Sequence, residues 1–210
     1  DVMGGLRQGK VYVIGGRNAG TQSDVQVAPI NANGTVGAWS ATTALPTARY
    51  WHTSVVHNSF LYVIGGNDGA VYLNDVRYAP INTNGTVGAW TATTAFTTVR
   101  AGHTSVAYSG YLYVIGGYNN SGPTNFNDVQ GAPINPNGTV GAWTATTAFT
   151  TARRYHTSVV HNGYLYVIGG DAGGLGAVRV QRLCAPRAVV VLVAHQPAQA
   201  LEHGLLGAYG

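Results

Sequence analysis

The string Tyr-Val-Ile-Gly-Gly occurs four times in this 210-residue chain, ending at Gly16, Gly66, Gly117 and Gly170. A unit repeated at such a period is one supersecondary motif that cannot bury its apolar face alone and must stack on its neighbours. His-Thr-Ser-Val recurs at His52, His103 and His156, and Asn-Gly-Thr-Val-Gly-Ala-Trp ends at Trp39, Trp90 and Trp143. The intervals within the unit are tighter than the period. Asp24, Asp75 and Asp128 each precede the next Trp by 15 residues, each Trp precedes the next His by 13, and each His precedes the second Gly by 14. Only the stretch from the second Gly to the Asp varies, at 8, 9 and 11 residues, so all length variation sits in one loop.

The unit reads as strands throughout. Phe60 to Ile64 and Tyr111 to Ile115 are β-branched and aromatic runs stopped by Gly-Gly. Thr53 to Val56 is a second strand, and Asn162-Gly163 joins two such runs as a tight hairpin. Val76 to Ile81 supplies a third strand and Thr86 to Thr94 a fourth, across the turn Asn82-Thr83-Asn84-Gly85. No helical periodicity appears in residues 1–170. The expected unit is a four-stranded antiparallel meander, and radial stacking of such units is the logic of a propeller blade.

These residues resemble the kelch-repeat family. Leu61-Tyr62-Val63-Ile64-Gly65-Gly66, then Asn74-Asp75-Val76, Trp90, and Arg100 before His103, look like that family's marks in phase. The resemblance covers about residues 2–170. Its aromatic before the Trp survives only as Tyr78, with Val27 and Gly131 in the other copies, and the Asn-x-Asn-Gly-Thr-Val-Gly turn is longer than the family's usual one. It is similar to a divergent, bacterial-type subtype. The implied fold class is all-β: kelch-type β-propeller blades, each a four-stranded antiparallel meander, in a partial propeller of about four units.

Units fall at about 1–49, 50–100, 101–153 and an incomplete 154–170. Residues 1–170 contain 45 Asn, Thr and Ser, whereas residues 171–210 contain none. That break leaves two readings of the tail: a cap, with a strand at Ala188–Ala194 and a short helix near Gln199–Leu206, or the product of a reading-frame change. A fragment of a larger propeller would expose blade faces and self-associate through unpaired blades. The absence of a basic-then-apolar leader before Asp1 is read as a signal peptide absent or removed.

Positions shared by all copies read as structural. Gly15, Gly16, Gly65, Gly66, Gly116, Gly117, Gly169 and Gly170 end the strands. His52, His103 and His156 suggest either a metal ring at the axis or, better, hydrogen bonds to neighbouring turns. Asp24, Asp75 and Asp128 precede strands, where a carboxylate accepts turn amides. Arg49, Arg100 and Arg153 lie three residues before each His and suit a bidentate bond between blades. No metal or cofactor is expected. Apart from the repeated Asp, residues 1–170 hold only Asp1 and Asp68 as carboxylates, which denies a glycosidase its acid pair. Copper oxidases of the family use a Cys-linked Tyr, but the single Cys184 lies in the tail. The Asn-rich turns lack the charged oxygens calcium wants. Asn33, Asn84 and Asn137 begin Asn-Gly-Thr sequons, and Asn119 is followed by x-Ser, so each is a glycosylation acceptor in a host that glycosylates. Scattered arginines argue against nucleic acid, and the longest apolar run, Ala188 to Ala194, is too short for a membrane span.

What differs between copies marks the candidate surface. The variable loop carries Arg17 and Asn18 in one copy, Asn67, Asp68 and Tyr72 in the next, and Tyr118, Asn119 and Phe126 in the third. The segment before each His varies too: Tyr50-Trp51, then Ala101-Gly102, then Arg154-Tyr155. In kelch propellers these loops share one face, and variable loops on a rigid scaffold are where binding resides. The expectation is a non-catalytic binding module, extracellular or on the cell surface, taking a protein or glycan partner through that face. The alternatives are a fragment of a kelch-propeller enzyme of the sugar mutarotase or oxidase class, with active residues in blades not present, and an architectural spacer.

Overall fold

The computed structural model describes residues 9–120, 125–173, 179–183 and 193–194. It is all-β, with four antiparallel sheets. The first joins β1 (Lys10–Arg17), β2 (Thr21–Pro29) and β3 (Ser40–Thr42). The second is β4 (Thr53–His57), β5 (Phe60–Asn67), β6 (Tyr72–Pro80) and β7 (Thr91–Thr93), in chain order. The third repeats it with β8 (Thr104–Tyr108), β9 (Tyr111–Tyr118), β10 (Asn125–Pro133) and β11 (Thr144–Ala145). In the fourth, β12 (Thr157–His161) and β13 (Tyr164–Ile168) are followed by β14 (Arg179–Leu183) and β15 (Val193–Ala194). Two strands from the tail thus extend the unit that sequence alone leaves at two. Of the expected tail strand only its last two residues lie within the described chain, and the expected helix near 199–206 lies outside it.

The sheets stack as blades with one apolar layer at each of three interfaces. Strand alternation decides which side chain joins which layer. Tyr62 and Ile64 of β5 pack with Leu112, Val114 and Val140 of the third blade, while Leu61 and Val63 pack back with Val25 and Leu45 of the first. All four β5 residues are buried because both faces are covered. A third layer joins Ile115, Val129 and Phe149 to Leu165 and Val167.

Gly-Gly is required by crowding. Gly65 has φ +55° and a Cβ there would lie 3.0 Å from the Arg100 carbonyl oxygen, the His103 ring and the Phe96 ring. Gly66 has φ +98° and its Cβ would meet the Tyr50 carbonyl at 2.8 Å. Strand β5 carries a register shift between Ile64 and Gly66, and it continues past the glycines to Asn67.

The repeated arginine bridges blades there. The Arg49 carbonyl accepts from Gly16 N–H of the first blade at 2.8 Å. Its fully buried guanidinium donates to Asp75 of the second blade at 2.8 and 3.0 Å and to the Gly65 carbonyl at 3.0 Å. Arg100 repeats this with Gly66 N–H, Asp128 at 2.6 and 2.8 Å, and the Gly116 carbonyl. Arg153 accepts from Gly117 and donates to Gly169. Asp75 and Asp128 therefore hold guanidinium groups and not turn amides, while Asp24 takes Gln26 Nε2. The turns are held by the preceding residue: Asn74 and Asn127 donate to the Phe96 and Phe149 carbonyls at 2.7 Å.

The fourth strand is shorter than its residue types suggest. Thr86 to Trp90 do not extend β7 but clasp the preceding blade. Val87 N–H donates to Thr42 Oγ1 at 2.8 Å, Thr43 Oγ1 donates to the Val87 carbonyl, Trp90 Nε1 donates to the Thr43 carbonyl at 3.0 Å, and Tyr12 Oη donates to the Gly85 carbonyl at 2.8 Å. Val140, Thr93, Thr94, Trp143, Tyr62 and Gly138 make the same set one blade later. Within the turn, Asn84 Oδ1 accepts from the Thr86 amide and hydroxyl.

The histidines also tie blades. His103 Nε2 meets Thr53 Oγ1 of the preceding blade at 3.0 Å, and His156 Nε2 meets Thr104 Oγ1 at 2.9 Å. Burial, then the adjacent Arg49 and Arg153 charges, lower His52 and His156 from 6.5 to about 4. Burial would raise Asp75 and Asp128, but Arg49 and Arg100 outweigh it and hold both below 3.8.

Two outcomes are expected. Asp128→Ala leaves a fully buried guanidinium without its counter-ion and should cost about 3 kcal/mol in chemical denaturation, whereas Arg100→Met with Asp128→Leu should cost clearly less than the sum of the single changes. Unfolded histidines take up protons near pH 6.5 and the folded ones only near pH 4, so the melting temperature should fall as pH drops through that window. The carboxylates add a further fall below about pH 3.8. His156→Asn should flatten the slope between pH 6.5 and 4.

Candidate functional site

The Arg that bridges blades also positions the residues that follow it. Tyr50, Ala101 and Arg154 pair across backbone bridges with Asn67, Tyr118 and Asp171. The next residue in each copy, Trp51, Gly102 and Tyr155, has φ of 55°, 58° and 55°. Gly102 N–H donates to the Trp51 carbonyl at 2.9 Å and Tyr155 N–H to the Gly102 carbonyl at 2.7 Å, so these positions form a hydrogen-bonded rim across three blades.

A left-handed φ suits glycine, and a bulky residue there costs about 1–2 kcal/mol. Two of the three copies nonetheless carry a large aromatic, and each is turned to solvent: Trp51 is 43% and Tyr155 46% exposed. Strain of this kind persists where surrounding structure enforces it, and it concentrates at functional sites.

The two rings stand 5.7 Å apart over Tyr118, which is buried and lies 5.9 Å from Trp51 and 5.6 Å from Tyr155. Tyr72 packs edge-on to Tyr118 at 5.5 Å, and Tyr50 lies 4.5 Å from Trp51. Tyr155 Oη donates to Tyr118 Oη at 2.9 Å. Burial first, then the Tyr155 and Tyr72 hydroxyls, push the Tyr118 phenol far up, so it stays neutral. An arginine flanks each end. Arg17 lies 5.0 Å from the Tyr50 ring centre, and Arg154 lies 4.6 Å from that of Tyr118 and 5.4 Å from that of Tyr155. Arg154 is also paired with Asp171 at 2.9 Å. Gly102 is needed between the rings, because a Cβ there would lie 2.9 Å from the Tyr155 ring.

The structure thus gathers Arg17, Tyr50, Trp51, Tyr72, Tyr118, Arg154 and Tyr155 into one aromatic platform on the variable loops. It buries two of the others and engages the rest in local contacts. Asn67 is buried, with Oδ1 on the Gly69 amide. Asp68 accepts from the Ala70 and Val71 amides, and Asn18 is spent on Gly20 and Gln22. Asn119 is buried and donates to the Val99 carbonyl. Phe126 lies against the bridging Arg100 at 4.6 Å. Sequence reasoning missed Gly102 as a contributor, although a glycine where sister copies hold aromatics is itself a signal of left-handed backbone. Among the described residues no three His, Cys, Asp or Glu converge as a metal site, and no helix is long and apolar enough to cross a membrane.

A family model for the KLHDC2/KLHL20/DRC7 Kelch-repeats domain matches residues 5–184. Kelch-like protein 40 of Mus musculus is 27% identical over 164 residues, which is 77% of this chain and 25% of that protein. Beta-scruin of Limulus polyphemus is 28% identical over 137 residues, covering 64% of this chain and 14% of that protein. The chain therefore spans a quarter or less of the curated relatives it matches. The solved structure of YjhT aligns with a TM-score of 0.64 at 16% identity, over 82% of this chain and 52% of that one, which is a likeness of fold.

Backbone strain at the rim generates a direct test. Tyr155→Gly should leave stability within about 1 kcal/mol of the parent, because relief of the left-handed φ offsets the lost ring contacts, whereas Tyr155→Val should be less stable than Tyr155→Gly by about 1–2 kcal/mol in urea unfolding.

Proposed function

The chain belongs to the kelch-repeat family, and on that premise we propose that it is a non-catalytic protein-binding module whose contact surface is the aromatic rim built around Trp51 and Tyr155. The observation that carries this reading is the pair of exposed aromatics held at left-handed φ, at positions where the third copy has glycine. Trp, Tyr and Arg are the residues that dominate protein hot spots, and the rim offers little else.

A protein partner is favoured over a glycan by what the loops have already spent. Sugar recognition needs free amides and carboxylates beside the stacking ring to meet hydroxyls. Here Asn67 and Asn119 are buried, and Oδ1 of Asn18 and of Asp68 each accepts two hydrogen bonds from its own loop. What faces outward is π surface flanked by guanidinium. The repeated carboxylates Asp75 and Asp128 are likewise held by arginine, which supports a binding and not an acid-base role.

A displayed random-peptide library and a glycan array, both probed with the whole chain, test this reading. Peptides should be enriched, and Trp51→Ala with Tyr155→Ala should weaken their capture by about 100-fold or more while circular dichroism is unchanged. Glycan capture without peptide capture, or peptide capture that the double change leaves intact, overturns it.

A further inference from the structure

We propose that Asn162 is a site of spontaneous covalent modification, at which the Gly163 amide closes on the asparagine side chain, expels ammonia and leaves an isoaspartyl or aspartyl residue at the tip of the β12–β13 hairpin. The site involves no residue of the aromatic rim, and the inference does not depend on that reading.

Ring closure meets least resistance at Asn-Gly, because glycine puts no Cβ beside the attacking nitrogen. The chain holds four such steps: Asn33-Gly34, Asn84-Gly85, Asn137-Gly138 and Asn162-Gly163. The first three are copies of one turn, and the fold restrains both reacting groups in each. The carboxamide is fixed: Oδ1 of Asn33, Asn84 and Asn137 accepts from the threonine amide two residues on at 3.1, 3.0 and 3.1 Å, and from that threonine's hydroxyl at 2.7 Å. The nucleophile is engaged as well: the amides of Gly34, Gly85 and Gly138 donate to the carbonyls of Asn31, Asn82 and Asn135 at 2.9, 2.8 and 2.9 Å. Ring closure needs that amide deprotonated and the carboxamide turned toward it, so these bonds must be given up first.

Asn162-Gly163 carries neither restraint. Asn162 is exposed, and among the described residues nothing hydrogen-bonds its carboxamide or the Gly163 amide. The pair forms the two-residue loop between His161 and Tyr164, with φ of +49° and +76°, the turn geometry that Asn-Gly favours. The equivalent hairpins lack the reactive pair: Asn58-Ser59 places a side chain on the residue that supplies the nucleophile, and Ser109-Gly110 has no carboxamide. In the step itself a base takes the Gly163 amide proton, the nitrogen bonds to Cγ of Asn162, and the Cγ–Nδ2 bond breaks as Nδ2 takes a proton from water and leaves as ammonia. Water then opens the succinimide. Breaking the bond from nitrogen to Cγ gives aspartate, and breaking the bond from nitrogen to the α-carbonyl carbon gives isoaspartate. One water enters and one ammonia leaves. Isoaspartate routes the chain through Cβ and Cγ, which adds a backbone atom to a loop whose length sets the hairpin register. Either product adds a negative charge next to His161.

Incubation of the whole chain in mildly alkaline buffer, with circular dichroism checking that it stays folded, followed by tryptic digestion tests this. Cleavage after arginine places the four Asn-Gly steps on separate peptides, 18–49, 78–100, 101–153 and 155–179. Mass spectrometry should show Asn162 gaining one mass unit at least about tenfold faster than Asn33, Asn84 or Asn137, a factor equal to about 1.4 kcal/mol of barrier. An isoaspartate-specific carboxyl methyltransferase should label the same peptide. In concentrated urea the four rates should converge, because the restraints belong to the fold; this arm needs no variant. Asn162→Gln should abolish both signals in peptide 155–179, since glutamine would have to close a larger ring. Conversion at Asn162 no faster than at the other three in the folded chain, a ranking that persists in urea, mass gain at Asn162 without methyl labelling, or signals that survive Asn162→Gln overturns the proposal.

Discussion

Everything else in the molecule is arranged around the buried guanidinium that joins one blade to the next. Arg49 and Arg100 each accept a glycine amide on the backbone carbonyl behind, and ahead the guanidinium donates to a glycine carbonyl and a carboxylate. A fully buried charge is tolerable only when its donors are met with this completeness. The demand propagates. The backbone must come close enough to give up its carbonyl, which excludes a Cβ at Gly65 and Gly116; the imidazole that follows lies over the same glycine; and the residue between them is thrust up to the rim. Fold and candidate site are thus set by one polar junction and not by the apolar layers, which fill the space the junction defines.

Much of this was legible from intervals. Constant distances from Asp to Trp, Trp to His and His to Gly announced a rigid unit, and the one variable interval marked the rim. The inter-blade role of the arginines was readable as well, since a residue present in every copy is held by the copies. What escaped was whatever depends on a neighbouring blade. Thr86 to Trp90 have strand-forming residues, but Val87 makes only a single bridge to Ile81 of its own blade and gives its amide to a Thr hydroxyl of the sheet before, and no local pattern announces that partner. Tyr118 falls in the stretch of variable length and yet ends strand β9 and is buried, because Trp51 and Tyr155 arrive over it from other blades. Asp75 lies beside a turn, as turn carboxylates do, yet its partner arrives from 26 residues earlier in the chain.

The rim shows how a repeat acquires a local task without disturbing the unit. Gly102 is the low-energy solution for a left-handed link, and it is retained in the copy where a side chain would collide with its neighbours. In the flanking copies the same link carries an aromatic under strain, held by backbone hydrogen bonds to the copy between. Several polar side chains of the surrounding loops brace those loops: Asn67 and Asn119 are buried, and Asp68 accepts from two amides of its own turn. The outward face is left to rings and guanidinium, groups that gain most from contact with another surface and need little rearrangement to make it.

The clasp has a consequence of a different order. The second and third blades present the same clasp donors to the blade before them and meet the same acceptors there, so the chemistry of that joint does not register which two copies meet. Blades are interchangeable parts, and a tandem duplication of the gene would add one without any new joint having to evolve. Nothing in the joint counts. How many copies a closed assembly contains is then a matter of the angle between adjacent sheets alone, and a lineage of such proteins is free to change that number while its joints, and the chemistry written into them, stay the same.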